Sequence, residues 1–167
     1  MMTSSHVEQV MDSFVTVEIE SVRSPDAKIL IEQLSNELAP RYPDSRKGGA
    51  GFRPADMDIP GACFVVARAD GVAVGCGAIR PFDEEPGVAE VKRMFVQPAH
   101  RGRGLSRRIL AKLEEAAKGF GYRTLVLETG DKQMEAIGLY EKSGFKRCDC
   151  WGEYIHSGWS LCYRKDI

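Results

Sequence analysis

"VKRMFVQPAHRGRGLSRRIL", residues 91–110, carries six cations (Lys92, Arg93, Arg101, Arg103, Arg107 and Arg108) and no acid. Its first part continues a strand that Pro98 stops. Its last part opens a helix from about Gly104 to Lys118, with Leu105, Ile109, Leu110, Leu113 and Ala117 on one side and Gly119 or Gly121 as terminator. Between the two, Gly102 and Gly104 leave the backbone bare where the chain turns into the helix. Several main-chain N–H groups can therefore converge on one anion in front of the helix dipole, and a phosphate is the anion they suit.

Other phosphate devices are checkable. A P-loop needs Gly-Lys-Ser or Gly-Lys-Thr, and the chain has neither. A dinucleotide fingerprint needs a third glycine where Arg107 stands, although Glu128 lies at a tolerable distance for its acidic partner. A glycine pair ahead of a helix also occurs in ordinary turns, so the elements around it have to decide.

With 167 residues the chain fits a single domain spanning 1–167, and its 43% hydrophobic and 28% charged residues point to neither disorder nor a membrane span. Residues 1–13 are polar and lack the basic-then-apolar order of a secretory signal, so a loose start to a cytoplasmic protein is expected. A formal net charge of −1 argues against bulk nucleic-acid binding, and no membrane association is expected. The five cysteines are Cys63, Cys76, Cys148, Cys150 and Cys162, an odd number in apolar contexts. Structural disulfides are not expected, and Cys148 and Cys150 read as buried side chains on one face of a strand. His6, His100 and His156 are isolated, so no zinc or other metal is expected.

Outward from the opening stretch, Phe14 to Glu20 alternates as a first strand, followed by a helix that Ser24 caps and Pro25 begins, with Ile29, Leu30, Leu34 and Leu38 as its apolar stripe. Residues 39–61, rich in Pro, Gly and charge, form a long loop interrupted by a short helix. Residues 62–82 read as a hairpin turning at Asp70-Gly71, and Val88 to Val96 is the next strand. After the basic helix come the apolar strand 123–129, a helix from Lys132 to Lys142 capped by Asp131, and strands at 145–151 and 160–165.

"VQPAHRGRGLSRRIL" (96–110), "AIGLYEKSGF" (136–145) and the preceding strand "AEVKRMFV" (89–96) resemble the signature of the GNAT superfamily, the acyl-CoA-dependent N-acetyltransferases. The resemblance implies an α/β (α+β) fold: a central mixed, mostly antiparallel sheet of about seven strands, splayed between strands 4 and 5 and flanked by about four helices. It also implies acetyl-CoA as cosubstrate. The amides of Arg101, Gly102, Arg103, Gly104, Leu105 and Ser106 would cradle its pyrophosphate, and the edge Met94, Phe95, Val96 would pair with the pantetheine arm. The N–H of Met94 would polarise the thioester carbonyl. Glu128 and Gln133 are carried over as further cofactor contacts. Two positions depart from the family pattern: Ala99 replaces a Gln or Arg, and Gln133 an Asn.

By the same resemblance Tyr140 would give a proton to the departing thiolate, the other reading being an aromatic filling the helix–sheet interface. Glu90 stands where a general base acts in the histone-modifying branch; its alternative is an ion pair with Lys92 or an arginine. Lys92 and Arg93 are both charged in a central strand, which must then open to solvent or ligand. One of them, with Arg41 or Arg53 from the long loop, is expected to receive a carboxylate on a small amino-acid-like amine; pairing with Glu90, Glu128 or phosphates is the alternative. Arg107 and Arg108 could touch the adenosine 3′-phosphate. Trp151, Tyr154 and Trp159 have two open readings, lining the acceptor pocket or packing against a second subunit of a homodimer.

The function expected is acetyl transfer to a primary amine by direct attack, since no cysteine has a histidine partner for a covalent route. A non-catalytic acyl-CoA sensor or interaction module, and acetylation of a protein or peptide amine, are the alternatives. A nucleic-acid binder using the basic helix is a third class, disfavoured by the lack of aromatic residues among its cations.

Overall fold

The computed structural model describes residues 14–43 and 52–167. Seven strands form one sheet in the order β1-β2-β3-β4-β5-β7-β6. They are β1 (Val15–Ile19), β2 (Cys63–Ala69), β3 (Val72–Pro81), β4 (Val88–Val96), β5 (Thr124–Gly130), β6 (Lys146–Cys148) and β7 (Ser160–Asp166). Three α-helices pack on it: α1 (Pro25–Leu38), α2 (Leu105–Gly119) and α3 (Met134–Lys142). The β2–β3 hairpin turns at Asp70 and Gly71, both at positive φ (49° and 82°), as a two-residue loop with the twist of its strands requires.

Burial follows from two covered faces. Along β2, Val65, Ala67 and Ala69 join Ile109, Leu113 and Ala117 of α2 and Tyr140 of α3 in one cluster. The alternate residues Phe64 and Val66 join Ala27, Leu30 and Leu34 of α1 in the other. A strand buried on both sides loses its polar alternation, which is why β2 reads as a nearly continuous apolar run.

β4 decides the architecture. Its pairing with β5 is the sheet's parallel one, through the α2 crossover, and it extends only over Val88, Ala89 and Glu90. From Val91 onward the two strands diverge, so the expected splay is present. On the other side of β4 the register against β3 shifts between Cys76↔Phe95 and Ala78↔Lys92. Arg93 and Met94 thus bulge opposite Gly77, and Arg93 takes φ 57°. The left-handed conformation costs an L-residue roughly 1–2 kcal/mol. Gly77 is fixed by packing: a Cβ there would lie 2.8 Å from Ile109 Cγ2 and 2.9 Å from both Leu113 Cδ1 and Met94 Sδ.

Several expectations change. About four helices become three α-helices, with Pro54–Met57, Pro98–His100 and Gly152–His156 as short 3-10 turns. The first of these is the helix expected inside the long loop; residues 44–51 of that loop, and the N-terminal segment 1–13, lie outside the described residues. Asp131 does not cap α3, because its N–H is drawn to the carbonyl of Trp159 (3.0 Å) and the helix starts two residues later than expected, at Met134. The strand expected at 145–151 shrinks to Lys146–Cys148. Cys148 ends it opposite Cys162, while Cys150 lies beyond it and is disulfide-bonded to Cys162 across a Cα–Cα distance of 5.2 Å. That bond corrects the expectation of no structural disulfide. A sequence separation of 12 carries no signal of it; the return of β7 beside β6 creates it. Among the described residues no helix is long and apolar enough to cross a membrane.

Candidate active site

The splay of β4 from β5 opens a cavity of ≈ 1210 Å³, walled by the end of α1, by Val91 to Val96, by the turn into α2, and by β5 and α3. At one end the turn holds Gly102 and Gly104 at φ 78° and 76°, and nothing lies within 4 Å of where a Cβ would stand on either. Gly104 is also the N-cap of the 15-residue α2, and no side chain caps that end. Backbone N–H groups of the first turn are thus offered along a surface clear of side chains, which fits a diphosphate. The turn is anchored from behind. Arg101 donates from Nε to the carbonyl of Val96 (2.9 Å) and from Nη2 to Glu37 of α1 (2.7 Å), so its side chain ties the turn to β4 and α1.

Met94, Phe95, Val96, Leu105, Ser106 and Gln133 line the same cavity; Arg103 is exposed and does not. Arg107 borders it from the exposed face of α2, whereas Arg108 reaches back to the carbonyl of Val15 (3.2 Å).

Beyond the strand edge the cavity becomes polar and titratable. Tyr140, which packs edge-on to Phe145 at 5.8 Å, is buried in its wall. Burial, reinforced by the carboxylate of Glu128, holds the Tyr140 phenol protonated well above its ordinary range. Glu128 and Lys92 face each other across the splay. Burial raises the Glu128 carboxyl, against the pull of Lys92 and a hydrogen bond from Ser160. Burial lowers the Lys92 ammonium, against Glu90 and Glu128. Lys92 Nζ donates to Tyr154 Oη at 2.9 Å, and burial pushes that phenol up as well.

Glu90 is placed differently. It is 4% exposed and stands opposite Arg80 in the β3–β4 ladder. Its Oε1 accepts from Arg80 Nε (3.0 Å) and Nη2 (2.9 Å), and Arg80 also reaches Asp56 at 2.8 Å. This cluster, with Arg53, lines a separate cavity of ≈ 550 Å³, and Tyr154 borders both. Arg41 borders the larger cavity, so the two loop arginines do not meet in one site.

Of the aromatic tail, Tyr154 and Trp159 line the larger cavity and Trp151 the smaller one, where it packs on Phe82 at 5.0 Å. Phe52, Tyr42 and Ser160 are site residues that no periodicity announces. Phe52 lies under the Arg93 guanidinium at 5.1 Å; the Tyr42 hydroxyl accepts from the Lys132 N–H (3.0 Å), and its ring meets Trp159 at 5.7 Å.

Residues 31–145 match the model of the Acetyltransferase (GNAT) family. The chain is 39% identical over 153 residues to the IAA acetyltransferase of Azospirillum brasilense, covering 92% of this chain and 98% of that one. It is 36% identical over 105 residues to human N-acetylaspartate synthetase, covering 63% of this chain but only 34% of that longer protein. A Klebsiella pneumoniae structure bearing the name of an acyl-CoA N-acyltransferase superposes with a TM-score of 0.74 at 29% identity, covering 92% of this chain and 97% of that one. A GNAT family acetyltransferase from Elizabethkingia anophelis, solved with acetyl-CoA bound, shares the fold at a TM-score of 0.64 and 20% identity over 92% of this chain and 98% of that one.

Proposed function

The chain belongs to the GNAT acetyltransferase family, and from that premise we propose that it moves an acetyl group from acetyl-CoA to the primary amine of a small molecule, by direct attack within a ternary complex. The observation that carries this reading is one continuous cavity. It joins a bare-backbone turn at the start of α2, a strand edge released by the splay, and the titratable groups Glu128, Lys92 and Tyr140.

Acetyl-CoA would supply a thioester whose acyl carbon is already activated. The amides of Arg101 to Ser106 hold the diphosphate, and the edge Met94 to Val96 aligns the pantetheine arm as an added strand would. The Met94 N–H stands at the bulge and is the donor that polarises the carbonyl oxygen in this reading. An amine must lose a proton before it attacks. Of the carboxylates lining this cavity, Glu128 is the one that burial raises, which makes it a better proton acceptor than an ordinary surface acid. Glu90, gripped by Arg80, keeps its charge paired and serves as a buttress of the neighbouring cavity. Tyr140, held protonated, donates to the departing sulfur.

The relative named N-acetylaspartate synthetase supports an amino-acid-like acceptor. Coenzyme A release, measured with acetyl-CoA against amines, amino acids and peptides, tests the reading: turnover with small primary amines is expected. Calorimetry that finds no affinity of the folded protein for coenzyme A or acetyl-CoA would overturn it.

A further inference from the structure

The steps above leave Arg93 without work, although its position is costly. It sits at the β4 bulge with φ 57°, a conformation that side-chain-bearing residues seldom adopt and that persists where surrounding structure, or function, demands it. Its guanidinium lies over the Phe52 ring at 5.1 Å and borders the larger cavity. The buried Nε–H has no hydrogen-bond acceptor, and no carboxylate among the described residues lies within ion-pair distance of this side chain.

Neighbouring cations differ in this respect. Arg101 is paired with Glu37, Arg80 with Glu90 and Asp56, Lys132 with the carbonyl of Arg41, and Lys92 with Tyr154. Burial works against the charge of Arg93, so a counter-ion arriving with the ligand gains more here than at a solvated arginine.

The geometry points to Arg93 as the receptor for a carboxylate on the acceptor, which makes the acceptor an amino acid whose ammonium lies at Glu128. This rests on the acetyl-transfer reading and names the substrate class of that same site. Nε–H and the adjacent Nη–H form one edge of the guanidinium, two parallel donors matched to the two oxygens of a carboxylate. Phe52 lies against the guanidinium, its ring centre 5.1 Å from the central carbon. Glu128 and Lys92 line the same cavity from β5 and β4, Lys92 within the electrostatic reach of both Arg93 and Glu128. Lys92 is engaged with the Tyr154 hydroxyl and is not itself the anion receptor. A zwitterion bound this way has its ammonium at a proton acceptor.

The test uses the protein loaded with coenzyme A and calorimetry of matched ligand pairs. L-aspartate, L-phenylalanine and L-alanine are each compared with the corresponding α-carboxamide, and O-phosphoethanolamine tests phosphate as the rival anion. The wild type is expected to bind the acids about 10- to 100-fold tighter than the amides, the range of a charge-assisted bidentate contact. Arg93→Gln should erase that ratio, and Arg93→Lys should restore part of it. Because the ratio is taken within one protein, differences in amine basicity and in folded fraction cancel between variants. Arg93→Gly, which removes the positive-φ strain, gives the same readout should the other variants fold poorly. A wild type that binds acid and amide alike, a ratio that survives Arg93→Gln and Arg93→Gly, or tighter binding of O-phosphoethanolamine than of any acid overturns the inference. In those cases acetyl transfer to amines still stands; loss of coenzyme A binding itself would remove both.

Discussion

Glu90 and Glu128 are both carboxylates on the strands that splay, and replacing each by glutamine separates a structural acid from a chemical one. In Glu90→Gln the side-chain oxygen can still accept one bond from Arg80, but the charge is gone. Glu90 has a 5% exposed side chain and Arg80 a 20% exposed one, so water compensates little. Breaking a buried pair outright costs about 3–5 kcal/mol. Here Asp56 remains on Arg80 at 2.8 Å and one hydrogen bond survives, which brings the expected loss to about 1–3 kcal/mol. For a domain of this size each kcal/mol moves Tm by about 2–4 °C, so thermal unfolding should begin roughly 2–12 °C lower. Turnover should fall less than about tenfold, well short of losing a general base. Glu128→Gln should do the reverse. A raised carboxyl favours its protonated form in the fold, so this group's contribution to stability is present at low pH and lost as pH rises through its folded pKa. The neutral glutamine should leave Tm at pH 7–8 unchanged or higher. Yet kcat/KM should drop about 10²- to 10⁴-fold, and the acid limb of the pH–rate profile should disappear. Scanning fluorimetry and coenzyme A release across pH read both quantities. If Glu90→Gln abolishes the acid limb while Glu128→Gln keeps it, the assignment is refuted.

Tyr140→Phe should lower kcat at least tenfold with coenzyme A affinity nearly unchanged; in the wild type the alkaline fall of activity should lie beyond the range of an ordinary phenol, because burial and Glu128 hold the proton on. Reduction, or Cys150→Ser, releases a segment that carries Tyr154 and Trp159 into the cavity and should raise the acceptor KM more than that of acetyl-CoA. The same change should cost about 3 kcal/mol in chemical denaturation, the stabilisation typical of a loop of this length. Gly77→Ala pushes a methyl group against Ile109, Leu113 and Met94 and should destabilise by about 1–3 kcal/mol, while weakening coenzyme A binding through the displaced bulge.

Local chemistry carried much of this protein. Pro98, the Gly102–Gly104 pair and the apolar stripe of α2 act over a few residues, and each was placed from the sequence to within a residue or two. The nearly all-apolar run 123–129 announced a strand covered on both faces, which β5 is. Long-range register was beyond reach. Glu90 meets Arg80 rather than a ligand because of how β3 lies against β4, and the bulge that sets Arg93 opposite Gly77 leaves no periodic mark. The end of β6 was overrun for a similar reason: β7 returns beside it and binds Cys150 through sulfur instead of through a longer ladder.

The sequence by itself determined the order of elements, the bare glycine turn ahead of α2 and the family, because turn formation and helix capping depend on neighbours along the chain. Only the tertiary structure decided which acid in the cavity is raised by burial, which buried guanidinium nitrogen among the described residues lacks an acceptor, and which cysteines join. Burial and pairing are properties of groups brought together from distant strands, and the free energy of a charge depends on what surrounds it.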